Sequence, residues 1–461
     1  MVPPHRPLFA AVAAAALLAA CSDGDTLLIE PPPPSSLTVF PTAAPEGLPG
    51  ELRTLSFKVA LGSTQPRDVV VNWRTEAGTA TPGEDYYDAS GEAVIAAGEL
   101  ETAIEVELLG DALPEAAETF HLRVSTTANA APTATSLLGT IANDDVDCSA
   151  PYTKADPNRW RVAPGADPLN YAHRGGVIDF PENTLFAYGE VAALGADVLE
   201  MDVYQTADNE LVILHDLDVD RTTDGTGNVV DLTLAELKAL DAAYWFVPGE
   251  GTPHDRPESD YVYRGIATGD KPPPPGYSHA DFQVPTLREA LERFAPYLIN
   301  VELKPDLDGE GDYERLIADE LLRFGRVDDV IAASFVDAAA NRFKEVAPCI
   351  HTSVPLDQGT GLVLAGLGDG TIPPVPEHVA FQVPPDTSQI SQVPDDFQLE
   401  VVTEDFVADA HAVNLAVQVW TVNSCEEMLR MMALGVDAIM TDRPVLLEEL
   451  LNTPPAERSC D

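Results

Sequence analysis

From residue 169 to the C-terminus, strand-like runs alternate with helix-like segments, which restricts the chain to a few folds built on parallel sheets. The runs are Asn170 to Arg174, Val198 to Tyr204, Ile299 to Lys304, Val330 to Phe335, Ile350 to Pro355, His378 to Val383, Ala416 to Val422 and Ala438 to Asp442. Helical segments such as Leu287 to Phe294 and Tyr313 to Phe324 stand between them. Eight such units predict an α/β (β/α)8 TIM barrel, whose functional side chains gather where the strands end.

Two of the runs carry charge at strand spacing. In Glu200-Met201-Asp202, positions i and i+2 share a face, so both carboxylates point one way. Leu199, Met201 and Val203 pack on the other. Glu302 and Lys304 share a face in the same manner. His173-Arg174-Gly175 precedes the first pair, and Leu211-Val-Ile-Leu-His-Asp216 follows it. Acids, histidines, an arginine and a lysine at strand ends point to metal-assisted chemistry on a phosphate ester. Carboxylates without a ligating cysteine favour a hard cation, Mg²⁺ or Ca²⁺.

At 461 residues the chain is long for one core, and two domains with a leader are expected. A formal charge of -50 opposes nucleic acid and anionic lipid, and most of the acidic excess reads as a solubilising surface. Residues 1–20 read as a signal peptide: His5 and Arg6 precede a short apolar stretch that ends Leu18-Ala-Ala-Cys21. That ending resembles the bacterial lipobox, which implies lipidation of Cys21. Ser22 after it favours the outer membrane of a bacterial envelope. Residues 21–36, rich in acid and proline, read as a tether.

Residues 37–146 show short alternating runs: Leu55 to Leu61, Val69 to Arg74, Ala103 to Leu108 and Thr119 to Val124. Turn residues separate them, which predicts an all-β sandwich. Residues 147–168 read as a linker, and the barrel fills 169–461. The stretch from Leu217 to Pro285 is too long for a plain loop. Its aromatics, Trp245-Phe246 and Tyr261-Val-Tyr263, predict an insertion that caps the site.

The sandwich series Gly78-Thr-Ala-Thr-Pro-Gly-Glu-Asp-Tyr-Tyr87, Glu115-Ala-Ala-Glu-Thr-Phe120 and Ile141-Ala-Asn-Asp-Asp145 resembles a Calx-beta domain. The resemblance implies structural calcium held by Glu46, Asp85, Asp111, Glu115, Glu118, Asp144 and Asp145. Val146 stands where such domains often keep another acid.

The barrel resembles the glycerophosphodiester phosphodiesterases. The matching motifs are His173-Arg-Gly175, Pro181-Glu-Asn-Thr184, Glu200-Met-Asp202, His215-Asp216, Asp220-Arg-Thr-Thr-Asp-Gly-Thr-Gly227, Pro285-Thr-Leu287, Val301-Glu-Leu-Lys304, Trp420-Thr-Val-Asn423 and Asp437-Ala-Ile-Met-Thr-Asp-Arg-Pro444. The resemblance implies Glu200, Asp202 and Glu302 as ligands of the cation. It implies His173 and His215 as the acid–base pair, each expected to end a barrel strand. Arg174 and Lys304 would hold the phosphate, Asp216 would orient a neighbour, and Trp420 would wall the pocket or fill the barrel. Glu182, Asn183 and Thr184 are expected to shape a loop and start a helix. His5, His121, His254, His279, His351, His378 and His411 have no motif context.

The implied activity is hydrolysis of glycerophosphodiesters to an alcohol and glycerol 3-phosphate by a lipid-anchored exported enzyme. Attack by water and a route through a cyclic phosphate both remain open. A phospholipase D acting on lysophospholipid or sphingomyelin is the alternative on the same fold. A calcium-dependent surface adhesion protein with an inactive barrel is the alternative of another class. Cys148, Cys349, Cys425 and Cys460 can form disulfides in an exported protein. A barrel starts and ends at its bottom face, so Cys148 and Cys460 are the expected pair.

Overall fold

The computed structural model describes residues 35–126, 130–149, 152, 154–304, 312–369, 372–389 and 399–460. The signal peptide, Cys21 and most of the expected tether lie outside these residues. Where the tether was expected to end, Ser35 and Ser36 already belong to the first strand. Among the described residues no helix is long and apolar enough to cross a membrane.

The N-terminal part of the described chain is a sandwich of β1 (Ser35–Val39), β2 (Thr42–Pro45), β3 (Leu52–Leu61), β4 (Val69–Ala77), β5 (Ser90–Ile95), β6 (Glu101–Leu109), β7 (Glu118–Thr126), β8 (Ala130–Pro132) and β9 (Ser136–Ala142). One sheet runs β6-β3-β1-β8 and the other β2-β9-β7-β4-β5. The alternation in sequence decides the inner faces. In β6, Ile104, Val106 and Leu108 are buried, while Glu105 and Glu107 between them are exposed. Phe120 stacks on Tyr86 at 4.6 Å and meets Phe57 edge-on at 5.9 Å. Gly139 lies beneath these rings; a Cβ there would come within 2.8 Å of both phenylalanines.

The barrel strands are β10 (Leu169–Ala172), β11 (Val198–Gln205), β13 (Leu298–Leu303), β14 (Val330–Ala333), β15 (Ala380–Val383), β16 (Ala416–Val419) and β17 (Ala438–Thr441). They are parallel, in the order β14-β13-β11-β10-β17-β16-β15. Thr352 and Ser353 pair with Ala332 and Ala380 and so close the ring between β14 and β15. This is the expected (β/α)8 architecture, and every predicted run supplies one of its staves. The short β12 (Leu211–Ile213) is different: it folds back antiparallel on the end of β11. His215 therefore follows a hairpin strand, not a barrel strand as expected.

Residues 147–168 are not a free linker. Trp160 is fully buried among Tyr171, Val198, Ile331, Ala416 and Ala438, which lie at the strand starts. Its Nε1–H donates to His351 Nδ1 at 2.8 Å. The segment thus plugs the bottom of the barrel. The sandwich is fastened to the flank of the barrel as well. Ala43 and Ala142 share a core with Leu287, Ala290 and Phe294. The Arg293 guanidinium lies 4.6 Å over the Phe40 ring.

The expected Cys148–Cys460 disulfide is not formed. Cys148 pairs with Cys349, and Cys425 with Cys460, at Cα separations of 5.0 and 5.6 Å. The expectation placed both chain ends under the barrel. Cys148 is there, beside the loop into the Thr352 stave, where Tyr152 N–H donates to Pro348 O. The tail, however, runs on past the last helix, Pro444–Leu451, and lies along the helix Cys425–Leu434. Arg458 reaches Met432 Sδ on that helix.

Candidate active site

Strand register assembles the acids. On β11, Leu199, Met201 and Val203 enter the core between barrel and helices, which turns Glu200 and Asp202 inward. The parallel ladder sets Asp202 beside Glu302 of β13. One oxygen each from Glu200, Asp202 and Glu302 then lie within 4.8 Å of one another. Lys304, on the face of Glu302, brings Nζ to 2.5 Å from Glu302 Oε1 and 3.2 Å from Asp202 Oδ1.

The turn after β10 is strained. Arg174 adopts φ 52°, in the left-handed region that costs a non-glycine residue about 1–2 kcal/mol. The turn aims the Arg174 backbone N–H at Glu200 Oε2, 2.9 Å away. Gly175, at φ 79°, continues it; a Cβ there would come within 2.8 Å of the Ala187 methyl. The Arg174 guanidinium faces Glu182 at 3.2 Å and Asp202 at 3.3 Å. It is thus clasped by acids within the site.

Both histidines carry a carboxylate on Nδ1. His173 Nδ1–H donates to Asp442 Oδ1 at 2.6 Å, and His215 Nδ1–H to Asp216 Oδ1 at 2.7 Å. These bonds leave each Nε2 available for proton transfer. His173 Nε2 lies 4.0 Å from Glu200. Asn423 Nδ2 donates to Asp442 Oδ2 at 2.6 Å and fixes that carboxylate in turn. Arg221 does the same on the other side, bonding Asp216 at 2.5 Å and Glu182 at 2.7 and 2.8 Å.

The charges follow from burial and neighbours. Burial, reinforced by Asp202 and Glu302, raises the Glu200 carboxyl well above the carboxylate range. Glu302 is raised by burial against the pull of Lys304. Burial alone would raise Asp202, but Lys304 and Arg174 hold it far below its ordinary value. Burial is likewise outweighed at Asp442 by His173, at Asp216 by His215 and Arg221, and at Glu182 by Arg221 and Arg174. Asp202 Oδ1 is buried without a hydrogen bond, since Lys304 approaches it at a poor angle. Oxygen donors, mutual repulsion and an unsatisfied buried oxygen all fit a hard divalent cation, which reaches each ligand at about 2.0–2.6 Å.

Glu182 and Asn183 do more than shape a loop. Glu182 ties Arg174 to Arg221, and Asn183 Nδ2 donates to Asp202 Oδ2 at 3.0 Å. Thr184 starts the helix Leu185–Leu194, its Oγ1 accepting from Ala187 N–H. The sequence reading assigned no role to Asp442, Asn423 or Arg221. All three stand inside quoted motifs, and that was the available signal.

A cavity of about 550 Å³ opens above the acids. Trp420 lines it, edge-on to Phe335 at 5.3 Å. The expected cap does not: no residue between 217 and 299 reaches the cavity. Phe246, Tyr263 and Phe282 of that segment instead pack with Phe186 on the outer helix, in a small core of their own.

In the sandwich the expected calcium ligands sort into two groups, Glu46 with Asp111 and Asp145, and Asp85 with Glu115 and Glu118. Asp144 instead accepts from Gly47 N–H at 3.2 Å. Burial and the surrounding acids push Glu46 up to about 7. Burial and a hydrogen bond with Asp85 do the same to Glu118.

A model described as the glycerophosphoryl diester phosphodiesterase family matches residues 173–446, and a Calx-beta domain model matches residues 51–145. The chain is 32% identical, over 61% of its length and 97% of the relative, to a glycerophosphodiester phosphodiesterase of Caldanaerobacter subterraneus subsp. tengcongensis. It is 29% identical, over 59% of its length and 94% of the relative, to one of Bacillus altitudinis. Among solved structures, a phosphodiesterase of Oleispira antarctica in complex with sn-glycerol-3-phosphate is 24% identical, with a TM-score of 0.45 over 62% of this chain and 98% of that one.

Proposed function

The chain belongs to the glycerophosphoryl diester phosphodiesterase family, and on that premise we propose that it hydrolyses glycerophosphodiesters to an alcohol and glycerol 3-phosphate with a divalent cation at Glu200, Asp202 and Glu302. The observation that carries the reading is the pair of histidines, each with a carboxylate on Nδ1, beside the three acids. A phosphodiester needs one proton removed from the attacking oxygen and another delivered to the leaving alkoxide. His173 takes the first through Nε2 and His215 delivers the second. Asp442 and Asp216 stabilise whichever imidazole is charged. The cation, when bound, would neutralise phosphate charge and acidify the attacking water or hydroxyl. Lys304 and Arg174 hold phosphate oxygens once substrate competes for them with the neighbouring acids. The test is release of choline and glycerol 3-phosphate from glycerophosphocholine. Absence of both products in millimolar magnesium and in millimolar calcium would reject the reading.

The sandwich, in this proposal, binds structural calcium in its two acid groups. Repulsion among clustered carboxylates is relieved by a cation, and binding to the folded state stabilises it by linkage. The melting temperature of the full chain should therefore rise in millimolar calcium over EDTA. The rise should shrink when Asp85→Asn and Glu118→Gln are combined. An equal rise in that variant would remove the sandwich from calcium binding.

The leader and Cys21 carry the proposal of a lipid-anchored enzyme of the bacterial envelope, on the outer membrane. Radiolabelled palmitate should enter the wild-type chain in a bacterial host and not Cys21→Ala. Equal labelling of the two would sink the anchor.

A further inference from the structure

The segment from Leu217 to Pro285 stays out of the cavity, yet part of it is built against the acid–base pair. His215 follows the hairpin strand β12, so no barrel stave carries it. Its side chain is 30% exposed, against 13% for His173. A relay fixes it instead. His215 Nδ1–H meets Asp216 Oδ1, and Asp216 Oδ2 accepts from Arg221 Nε at 2.5 Å. Arg221 is then held twice from further along the segment. Its Nη1–H donates to Thr252 Oγ1 at 3.3 Å, and His254 Nε2–H donates to the Arg221 carbonyl at 3.0 Å. His254 is exposed and has no motif context, and stacking on Trp245 at 4.1 Å sets its ring.

The footing of these two residues is rigid. Val247 N–H donates to Gly251 O at 2.7 Å, and Gly249 N–H to Ile178 O at 2.9 Å. The Arg264 guanidinium lies 3.9 Å over both the Tyr244 and the Tyr261 ring. Trp245 meets Tyr261 edge-on at 5.5 Å. Packing of this kind locks rotamers, and a reacting group is aimed only as well as its support is fixed.

Resting on the phosphodiesterase reading above, we infer that Thr252 and His254 are positioning residues for the general acid His215, acting through Arg221 and Asp216. The aromatic segment thus serves bond cleavage and not substrate choice. His173 needs no such support, because β10 carries it and its partner Asp442 follows the barrel strand β17. The histidine off the barrel is the one that the segment braces. As the bond from phosphorus to the leaving oxygen breaks, the proton on His215 Nε2 goes to that oxygen. The aim of Nε2 is set by the partner of Nδ1. Asp216 in turn is set by Arg221, whose Nη1 and Nη2 are already spent on Glu182.

The test uses the full chain with its cation and two diesters, glycerophosphocholine and the p-nitrophenyl ester of glycerol 3-phosphate. The choline alkoxide needs a proton as it leaves, whereas nitrophenolate leaves without one. Thr252→Val combined with His254→Ala should lower kcat for glycerophosphocholine at least about fivefold, since a small misplacement of a reacting group costs up to roughly 10²-fold. KM should stay unchanged, because neither residue lines the cavity. On the nitrophenyl ester kcat should stay near wild type. A partial loss of folded enzyme lowers both esters alike, so their ratio separates aim from structure. Added to Asp216→Asn, the two substitutions should cost nothing further, since they act only through Asp216. An unchanged kcat on glycerophosphocholine, an equal loss on both esters, or a loss that adds to that of Asp216→Asn would overturn the inference. The phosphodiesterase reading would survive each of these, because the wild-type chain would hydrolyse both esters. Inactivity of the wild type on both would overturn the parent reading and this inference together.

Discussion

Exchange of Asp202 for asparagine should lower kcat by roughly 10³-fold or more and abolish the response to added divalent cation, since such an ion supplies several kcal/mol to the transition state. Asp202 is the member of the acid group that stays charged. Lys304 and Arg174 hold its carboxyl low despite full burial. Its Oδ1 is buried without a hydrogen bond. The substitution keeps the shape of the side chain, so the contact with Asn183 can be retained and the fold with it. Glu302→Gln should act in the same direction, because Asp202 and Glu302 are neighbours in the parallel ladder. The measurement is kcat against magnesium and calcium concentration, with cation binding by calorimetry. A variant that keeps a wild-type cation response would take the carboxylates out of the metal assignment.

Loss of the His173 imidazole should lower kcat by roughly 10²–10⁴-fold, the usual yield of general acid–base catalysis. Asp442→Asn should cost about 10²-fold through the same ring. The amide no longer holds Nδ1–H as a carboxylate does, and it removes the charge that compensates an imidazolium. Asn423 would still hold the replaced side chain in place, so a folding defect is not expected. Combined, His173→Ala and Asp442→Asn should cost no more than His173→Ala alone, since Asp442 acts only through the ring. Additive losses would mean that Asp442 works independently of His173. A His173→Ala enzyme with near wild-type kcat would exclude this histidine from proton transfer.

Local pattern was legible where one strand or one turn carries it. Glu200 and Asp202 needed only the period of two, and the sandwich runs needed only their alternation. The barrel followed from repetition of a local unit. The helix start at Thr184 followed from its capping chemistry. Reading outward from such units failed where partners come from distant parts of the chain. Asp442 meets His173 across 269 positions, and Arg221 meets Glu182 across 39. His215 was given to the wrong kind of strand because a hairpin and a barrel stave look alike over three residues.

The sequence by itself determined the two folds, the strand faces and the chemical type of the site, because side-chain period and motif order are local properties of the chain. Tertiary structure decided which groups meet. It turned a proline-rich linker into a plug, since Trp160 finds an apolar hollow under the barrel. It redirected the tail to Cys425 and left Cys148 to Cys349, since disulfides depend on Cα positions within about 7 Å and not on order along the chain. It drew the aromatic segment away from the cavity into a core with Phe186. Burial in each case is a competition among all surfaces at once, and its outcome is set by packing in three dimensions.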